Sequence, residues 1–330
     1  MAKDQFIGVN RIEKARLVIA PTIAPTQVVA SERLSALCGV PVHLKLEHHQ
    51  RTGSFKLRGA TNAVLNLTGD QRSRGVVGVS TGNHGRGLAY AARQNGVRCI
   101  ICMSSLVPRN KIDGIKAQGA EVRIVGHSQD DAQVEVDRLV AEKGMTMIPP
   151  FDHADIIAGQ GTLGLEIAEA VPDVSCALIQ LSGGGLISGV AVALKSRNPD
   201  MTVIGVSMER GAAMYECQKA GKPVAVEEKP TLADSLGGGI GLDNAHTFAM
   251  TRALVDDIVL VSEAEIAEGI RHAYWHEHQI IEGSGAVGIA ALLAAKVRPT
   301  GPAAVLLSGG NIDMALHHRI ISGEDVDVTT

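Results

Sequence analysis

Aromatic side chains are scarce in this chain, at 2% of its residues. A core of the size that 330 residues can bury must therefore be assembled from Ala, Val, Ile and Leu, with 37 glycines supplying tight turns and close approaches. Basic charge is not in excess: the formal net charge is −4, which offers no positive field to gather nucleic acid or an anionic membrane. No apolar run approaches the roughly 18 residues that a membrane-spanning helix needs. The opening segment, MAKDQFIGVNRIEKAR, lacks the apolar core of a signal peptide, so a cytoplasmic location is expected. The lysine pattern of a nucleotide P-loop is missing, which argues against a nucleoside triphosphate, and there is no H-E-x-x-H for zinc. Repeats and low-complexity tracts are missing too.

Cysteines are few and scattered: Cys38, Cys99, Cys102, Cys176 and Cys217. Cys99 and Cys102 form a C-x-x-C, but inside VRCIICM, an apolar run with the character of a buried strand. Residues three apart on a strand face opposite sides, so the two thiols are not expected to meet.

What the chain does have is alternation. Apolar runs at 76–79, 99–103 and 121–125 are separated by helix-patterned stretches at 87–94 and 110–118. After Pro149-Pro150 the pattern resumes, with strands expected at 176–181, 203–206 and 303–307 and helices at 162–170, 188–197, 263–276 and 286–297. Residues 42–46, VHLKL, alternate as a strand does. This is the βαβ signature of an α/β protein with parallel sheets. Pro149-Pro150 marks the best internal boundary, which predicts a small domain of 76–150 inserted into a large one made of 1–75 plus 151–330. Glycine-rich segments at 82–87, 183–189 and 309–310 each follow an expected strand. Ligands of open α/β sheets bind beyond the carboxyl ends of strands, so the three loops point at one cleft.

Four segments carry chemistry. Ser182-Gly183-Gly184-Gly185-Leu186 precedes a helix; glycines let amides crowd round an anion and the helix N-terminus adds a favourable dipole, although a plain tight turn would look the same. Lys56 lies in Thr52-Gly53-Ser54-Phe55-Lys56-Leu57-Arg58-Gly59-Ala60. A lone lysine is ordinarily a solvated surface charge, but among small and apolar neighbours desolvation lowers its pKa and frees the amine to attack a carbonyl. Ser80-Thr81-Gly82-Asn83-His84-Gly85 offers hydroxyls, amides and one carboxamide, against the plainer reading of a capped helix start. The fourth is Ser308-Gly309-Gly310-Asn311. Two G-x-G-x-x-G matches, at Gly159, Gly161, Gly164 and at Gly283, Gly285, Gly288, keep a dinucleotide-dependent oxidoreductase as the rival from another class, but neither opens a βαβ unit with the required acidic residue.

Together the four segments resemble the fold-type II pyridoxal-phosphate enzymes, which are tryptophan synthase β-like, and within them the threonine dehydratase and serine racemase branch. The resemblance runs from about Ile12 to Ile320. It implies an α/β fold of two open, twisted parallel-sheet domains with pyridoxal 5'-phosphate in the cleft between them. It implies that Lys56 carries the cofactor and is the catalytic base, and that Asn83 bonds the cofactor's ring oxygen. Gly183, Gly184, Gly185 and Leu186 would cradle the phosphate, and Ser308 would face the pyridine nitrogen with a neutral hydroxyl. Ser80, Thr81, Gly82, Asn83 and His84 would receive the substrate. The implied reaction is loss of water and then ammonia from a 3-hydroxy amino acid such as threonine or serine, in a homodimer.

Departures qualify this. Racemising members place a serine where Thr81 stands; its hydroxyl makes Thr81 the candidate acid–base opposite the lysine and leaves racemisation as the alternative activity. Cysteine synthases, the β-replacing rival, show T-S-G-N-T where this chain has S-T-G-N-H. Some members hold a divalent cation through two carboxylates after a strand; here only Glu209 remains, so no metal is expected at that place. His272, His276 and His278 read as a surface helix end rather than a metal site. The family's usual proline after Glu282 is Gly283. His48-His49 and Asp234-Ser235-Leu236-Gly237-Gly238-Gly239 are similar to dehydratases of hydroxyectoine utilisation, and both are expected to border the substrate side of the cleft. With about 20 residues beyond Ser308, no feedback-regulatory domain is expected.

Overall fold

The computed structural model describes residues 7–80, 82–105, 107, 109–326 and 328. Among these, the strands in chain order are β1 (Val28–Ala30), β2 (Val42–Lys45), β3 (Val76–Val79), β4 (Cys99–Met103), β5 (Glu121–Ile124), β6 (Thr146–Met147), β7 (Cys176–Gln180), β8 (Thr202–Met208), β9 (Asp257–Val261) and β10 (Ala303–Leu306). They form a six-stranded sheet in the order β1-β2-β10-β7-β8-β9 and a four-stranded sheet in the order β5-β4-β3-β6. Every pairing is parallel except that of β1 with β2, so both sheets are parallel-rich as expected, the larger carrying one antiparallel edge strand.

The strands read as they do because helices cover both faces. All five residues of β4, CIICM, are buried, as are all five of β7, CALIQ. Cys99 packs in one core with Val76 and Ile101, and Cys102 in another with Val77 and Ile100, so the two thiols lie on opposite faces of the small sheet. Helix starts are written locally: Ser262 accepts from the Glu265 amide and Glu265 returns the bond, fixing the start of Glu263–Trp275.

Several helices begin earlier than the sequence pattern indicates, because glycines that look like turns lie inside them. Ala154–Ala170 contains Gly159, Gly161 and Gly164. A Cβ on Gly159 would come within 2.6 Å of the Gly59 Cα, and one on Gly164 within 2.7 Å of the Val190 carbonyl oxygen. The first G-x-G-x-x-G match is thus a packing stripe where three helices, Lys56–Leu65, Ala154–Ala170 and Gly185–Arg197, press together. The second opens the helix Gly283–Leu293. A Cβ on Gly283 would overlap the Leu232 carbonyl oxygen, which accounts for glycine where the resemblance leads one to expect proline. No helix among the described residues is long and apolar enough to cross a membrane.

Candidate active site

The loops after β3, β7 and β10 meet the start of the helix Lys56–Leu65 at one cavity. Its inner part is lined by Lys56, Asn83, Gly183, Gly184, Leu186 and Ser308, among others, and opens into an outer cleft of about 510 Å³. Four segments far apart in the chain therefore converge as the sequence predicted.

Lys56 is the first residue of its helix. Just before it, the Phe55 amide donates to the Ser308 carbonyl (3.0 Å) and Ser54 bridges to Gly309, tying the lysine to the loop after β10. The Lys56 amine opens onto the cleft and donates to the Pro150 carbonyl at 2.8 Å. Protein atoms enclose the rest of the side chain, and that burial lowers its pKa to about 8. The segment after Pro149-Pro150 also reaches this cavity. It slots between the lysine and the glycine loop, where a Cβ on Gly183 would strike the Phe151 ring and one on Gly185 would lie 2.7 Å from the Phe151 carbonyl oxygen.

The glycine loop leads into Gly185–Arg197, whose first-turn amides have no partner within the helix. Gly184 is left-handed, with φ at 86°. A Cβ there would also lie 2.9 Å from Thr251 Oγ1. Gly184→Ala should strain the turn by about 1–2 kcal/mol and weaken retention of a phosphorylated ligand. Dialysis followed by absorbance tests this, and retention equal to the wild type would refute the cradle.

Ser80, Gly82, Asn83 and His84 line the outer cleft. Thr81 lies outside the described residues. The Ser80 hydroxyl accepts from the Gly85 amide at 2.9 Å in the first turn of the helix Asn83–Gln94, although the N-cap itself is Gly82 rather than Ser80. The His84 ring is buried, its Nε2 2.8 Å from the Ile148 carbonyl oxygen. Burial, reinforced by Lys56, lowers its pKa to about 3 and keeps it neutral. Asp234, Ser235 and the glycines Gly237–Gly239 border the same cleft, with Asp234 paired to Lys111 across it. His48 and His49 do not, contrary to expectation: His48 is buried behind Gly310 with its Nε2 2.8 Å from Gln279, and His49 is exposed.

Sequence reasoning gave no role to Glu282, Asn311 or Arg86. Glu282 is 5% exposed and lines the inner cavity. Burial, with Asp234 nearby, raises its pKa to about 7, against the opposing bonds from Asn83 and Asn311. A carboxylate buried at a helix start leaves no periodicity to detect; Asn311 stood in a quoted motif without a partner to explain it.

These residues fit a phosphorylated ring compound bearing a carbonyl: an amine whose pKa is lowered, a glycine cradle against a helix N-terminus, and Asn83 and Ser308 on the cavity wall. No group of three or more His, Cys, Asp or Glu side chains among the described residues is arranged to hold a metal ion. His272 meets Glu277 at 3.1 Å, and Glu209 meets Lys296 at 3.3 Å.

Comparison with known proteins agrees with this chemistry. Residues 19–309 match the family model described as "Pyridoxal-phosphate dependent enzyme". A Sinorhizobium fredii protein named "Putative threonine dehydratase" is 61% identical, over 96% of each chain. The structure of maize serine racemase superposes with a TM-score of 0.90 at 31% identity, covering 96% of this chain and 97% of that one. That of the processed form of a threonine deaminase from Solanum lycopersicum superposes with a TM-score of 0.86 at 33% identity, covering 95% and 88%.

Proposed function

This chain belongs to the family of pyridoxal-phosphate-dependent enzymes, and from that we propose that its cleft takes a small 3-hydroxy amino acid such as threonine or serine and eliminates water, then ammonia, to release a keto acid. The observation that carries the reading is the Lys56 amine, poised with its pKa lowered to about 8 at the floor of a cavity walled by the glycine loop, Asn83 and Ser308. The relative at 61% identity weighs for dehydration over racemisation.

The bound cofactor supplies a carbonyl that condenses with amines and a conjugated ring that draws electron density from the substrate Cα. In the proposed arrangement the amides of Gly183, Gly184, Gly185 and Leu186 would hold the phosphate, one Asn83 N–H would serve the ring oxygen, and the neutral Ser308 hydroxyl would serve the ring nitrogen. Residues 80–84 receive the substrate carboxylate, with Thr81 assigned from sequence alone. Lys56 would hold the cofactor and, as general base, would take the substrate's Cα proton. The electron pair left at Cα would form a double bond to Cβ as the β-hydroxyl leaves, and the proton that Lys56 took from Cα would pass to that hydroxyl, which departs as water. The released unsaturated amine tautomerises and hydrolyses to keto acid and ammonia.

We also propose that residues 76–150 form a small lobe, supported by the second sheet's strands falling between Val76 and Met147. A cytoplasmic homodimer is part of the same proposal and rests on the resemblance.

Keto-acid release by purified, cofactor-loaded protein tests the reaction. The panel holds L-threonine, L-serine, the 3-hydroxyaspartates and hydroxyectoine-derived amino acids, since Gly237, Gly238 and Gly239 border the cleft without side chains. Release from none of them, with the cofactor's visible band intact, would move the assignment to racemisation or replacement.

A pH dependence follows from Lys56. Only the neutral amine attacks a carbonyl, and its fraction rises about tenfold per pH unit below the pKa. Cofactor capture by the apo-protein should therefore accelerate with pH up to about 8 and level off above it. Stopped-flow absorbance measures this, and a rate still climbing towards pH 10 would mean that burial does not depress the amine.

A further inference from the structure

Asn83 meets the side chains of Ser235, Glu282 and Asn311, and their donor or acceptor character, together with that of Arg86 beyond Asn311, leaves little freedom to its amide. At one end stands Arg86, which can only donate; its Nη1 lies 2.9 Å from Asn311 Oδ1. That identifies the oxygen of the Asn311 carboxamide. Its nitrogen then commits both hydrogens, one to the Thr52 carbonyl at 2.9 Å and the other to Asn83 Oδ1 at 2.6 Å. A carbonyl can only accept, so the two ends agree. Asn83 must therefore present its nitrogen to the other side, where Glu282 Oε1 accepts at 2.6 Å. The second carboxylate oxygen of Glu282 accepts from the Asn311 main-chain amide at 3.0 Å. One hydrogen on Asn83 Nδ2 is left with only a long contact, 3.4 Å, to Ser235 Oγ.

Two glycines make room for this chain of bonds. Gly53 has φ at 76°, and a Cβ on it would sit 2.5 Å from Asn311 Oδ1. A Cβ on Gly309 would lie 2.6 Å from Glu282 Oε1 and 3.3 Å from Asn83 Nδ2. Any side chain at either place would push apart groups that the relay brings together.

We propose that Arg86, Asn311 and Glu282 are positioning residues that fix the polarity of the Asn83 carboxamide, so that one N–H remains for a ligand of the inner cavity. The inference rests on the assignment of Asn83 to the cofactor's ring oxygen. It adds that the assignment depends on a donor set at Arg86 and two acceptors set at Glu282. Glutamine offers one acceptor where a carboxylate offers two. In Glu282→Gln, either the Asn311 amide or Asn83 Nδ2 therefore faces an N–H group, and the relay must break or turn over.

The test reads cofactor affinity and the visible band of the cofactor-loaded protein, with Tm as a check on folding. Asn83→Ala sets the size of the effect. Glu282→Gln and Arg86→Met are each expected to shift the band in the same direction and to weaken cofactor binding by about tenfold, with kcat falling more than KM changes. Arg86→Lys keeps a donor and should restore most of the affinity lost in Arg86→Met. Because Arg86 is only half-buried, its two variants keep the comparison available if Glu282→Gln folds poorly. The proposal is overturned if Glu282→Gln or, where that variant does not fold, Arg86→Met leaves band and affinity at wild-type values while Asn83→Ala moves them. An Asn83→Ala protein with unchanged band and affinity would instead overturn the assignment of Asn83 itself, and this inference with it.

Discussion

Lys56→Ala is expected to lower keto-acid release by at least about ten-thousand-fold and to abolish the visible band of the covalently held cofactor. Two losses combine in one substitution. The cofactor loses its anchor, and the Cα proton loses its acceptor. The helix Lys56–Leu65 starts at this residue, and among the described residues the side chain's hydrogen bond goes to the Pro150 carbonyl, so truncation removes no partner on which another of their buried groups depends. The variant should fold with a denaturation midpoint close to that of the parent, and added methylamine should restore part of the proton transfer. Turnover above about one hundredth of the parent's would remove Lys56 from the chemistry and, with it, the proposed site.

That Lys56 could be singled out at all reflects where the sequence is informative. The short motifs were legible because each combines a strand, a glycine turn and a helix start, and local rules govern all three. The strands β3, β4 and β7 were legible because burial on both faces gives an unbroken apolar run. What local pattern could not supply was partnership between segments. VHLKL alternates, which would leave its polar residues facing water, yet Lys45 is 1% exposed because Glu166 of a distant helix meets it. Gly159 and Gly161 look like turn residues until Gly59 and the helix Gly185–Arg197 are brought against them. Glu282 and Asn311 have no meaning singly; their roles exist only once Asn83 stands between them. His48 was misplaced for the same reason, since only its pairing with Gln279 shows which way the ring turns.

The same dependence on partners sets the largest effect expected on stability, at Arg58. Two residues beyond Lys56 on the same helix, its guanidinium uses all five donors. Nε and Nη2 grip Glu47 at 2.6 and 3.0 Å, Nη1 and Nη2 reach Glu166 at 2.6 and 2.9 Å, and Nη1 also meets Thr162 Oγ1 at 3.1 Å. Glu47 has no exposed surface, so it relies on Arg58 for its counter-charge, with the Thr26 hydroxyl as a further donor at 2.7 Å. Glu166 keeps Lys45. Arg58→Leu therefore strands one buried carboxylate and halves the support of another, a change of the kind that costs about 3–5 kcal/mol. Against the roughly 5–15 kcal/mol by which a folded domain is typically stable, that is a large share. Urea denaturation should show the midpoint falling with little change in slope. Adding Glu47→Gln should return part of the loss, because the stranded charge is then gone; a double-mutant cycle measures the coupling. A loss below about 1 kcal/mol, or a cycle without coupling, would mean that water reaches Glu47 and that the network carries little of the fold. If the loss is as large as expected, cofactor retention should fall with it, since the helix that Arg58 anchors is the one that presents Lys56 to the cleft.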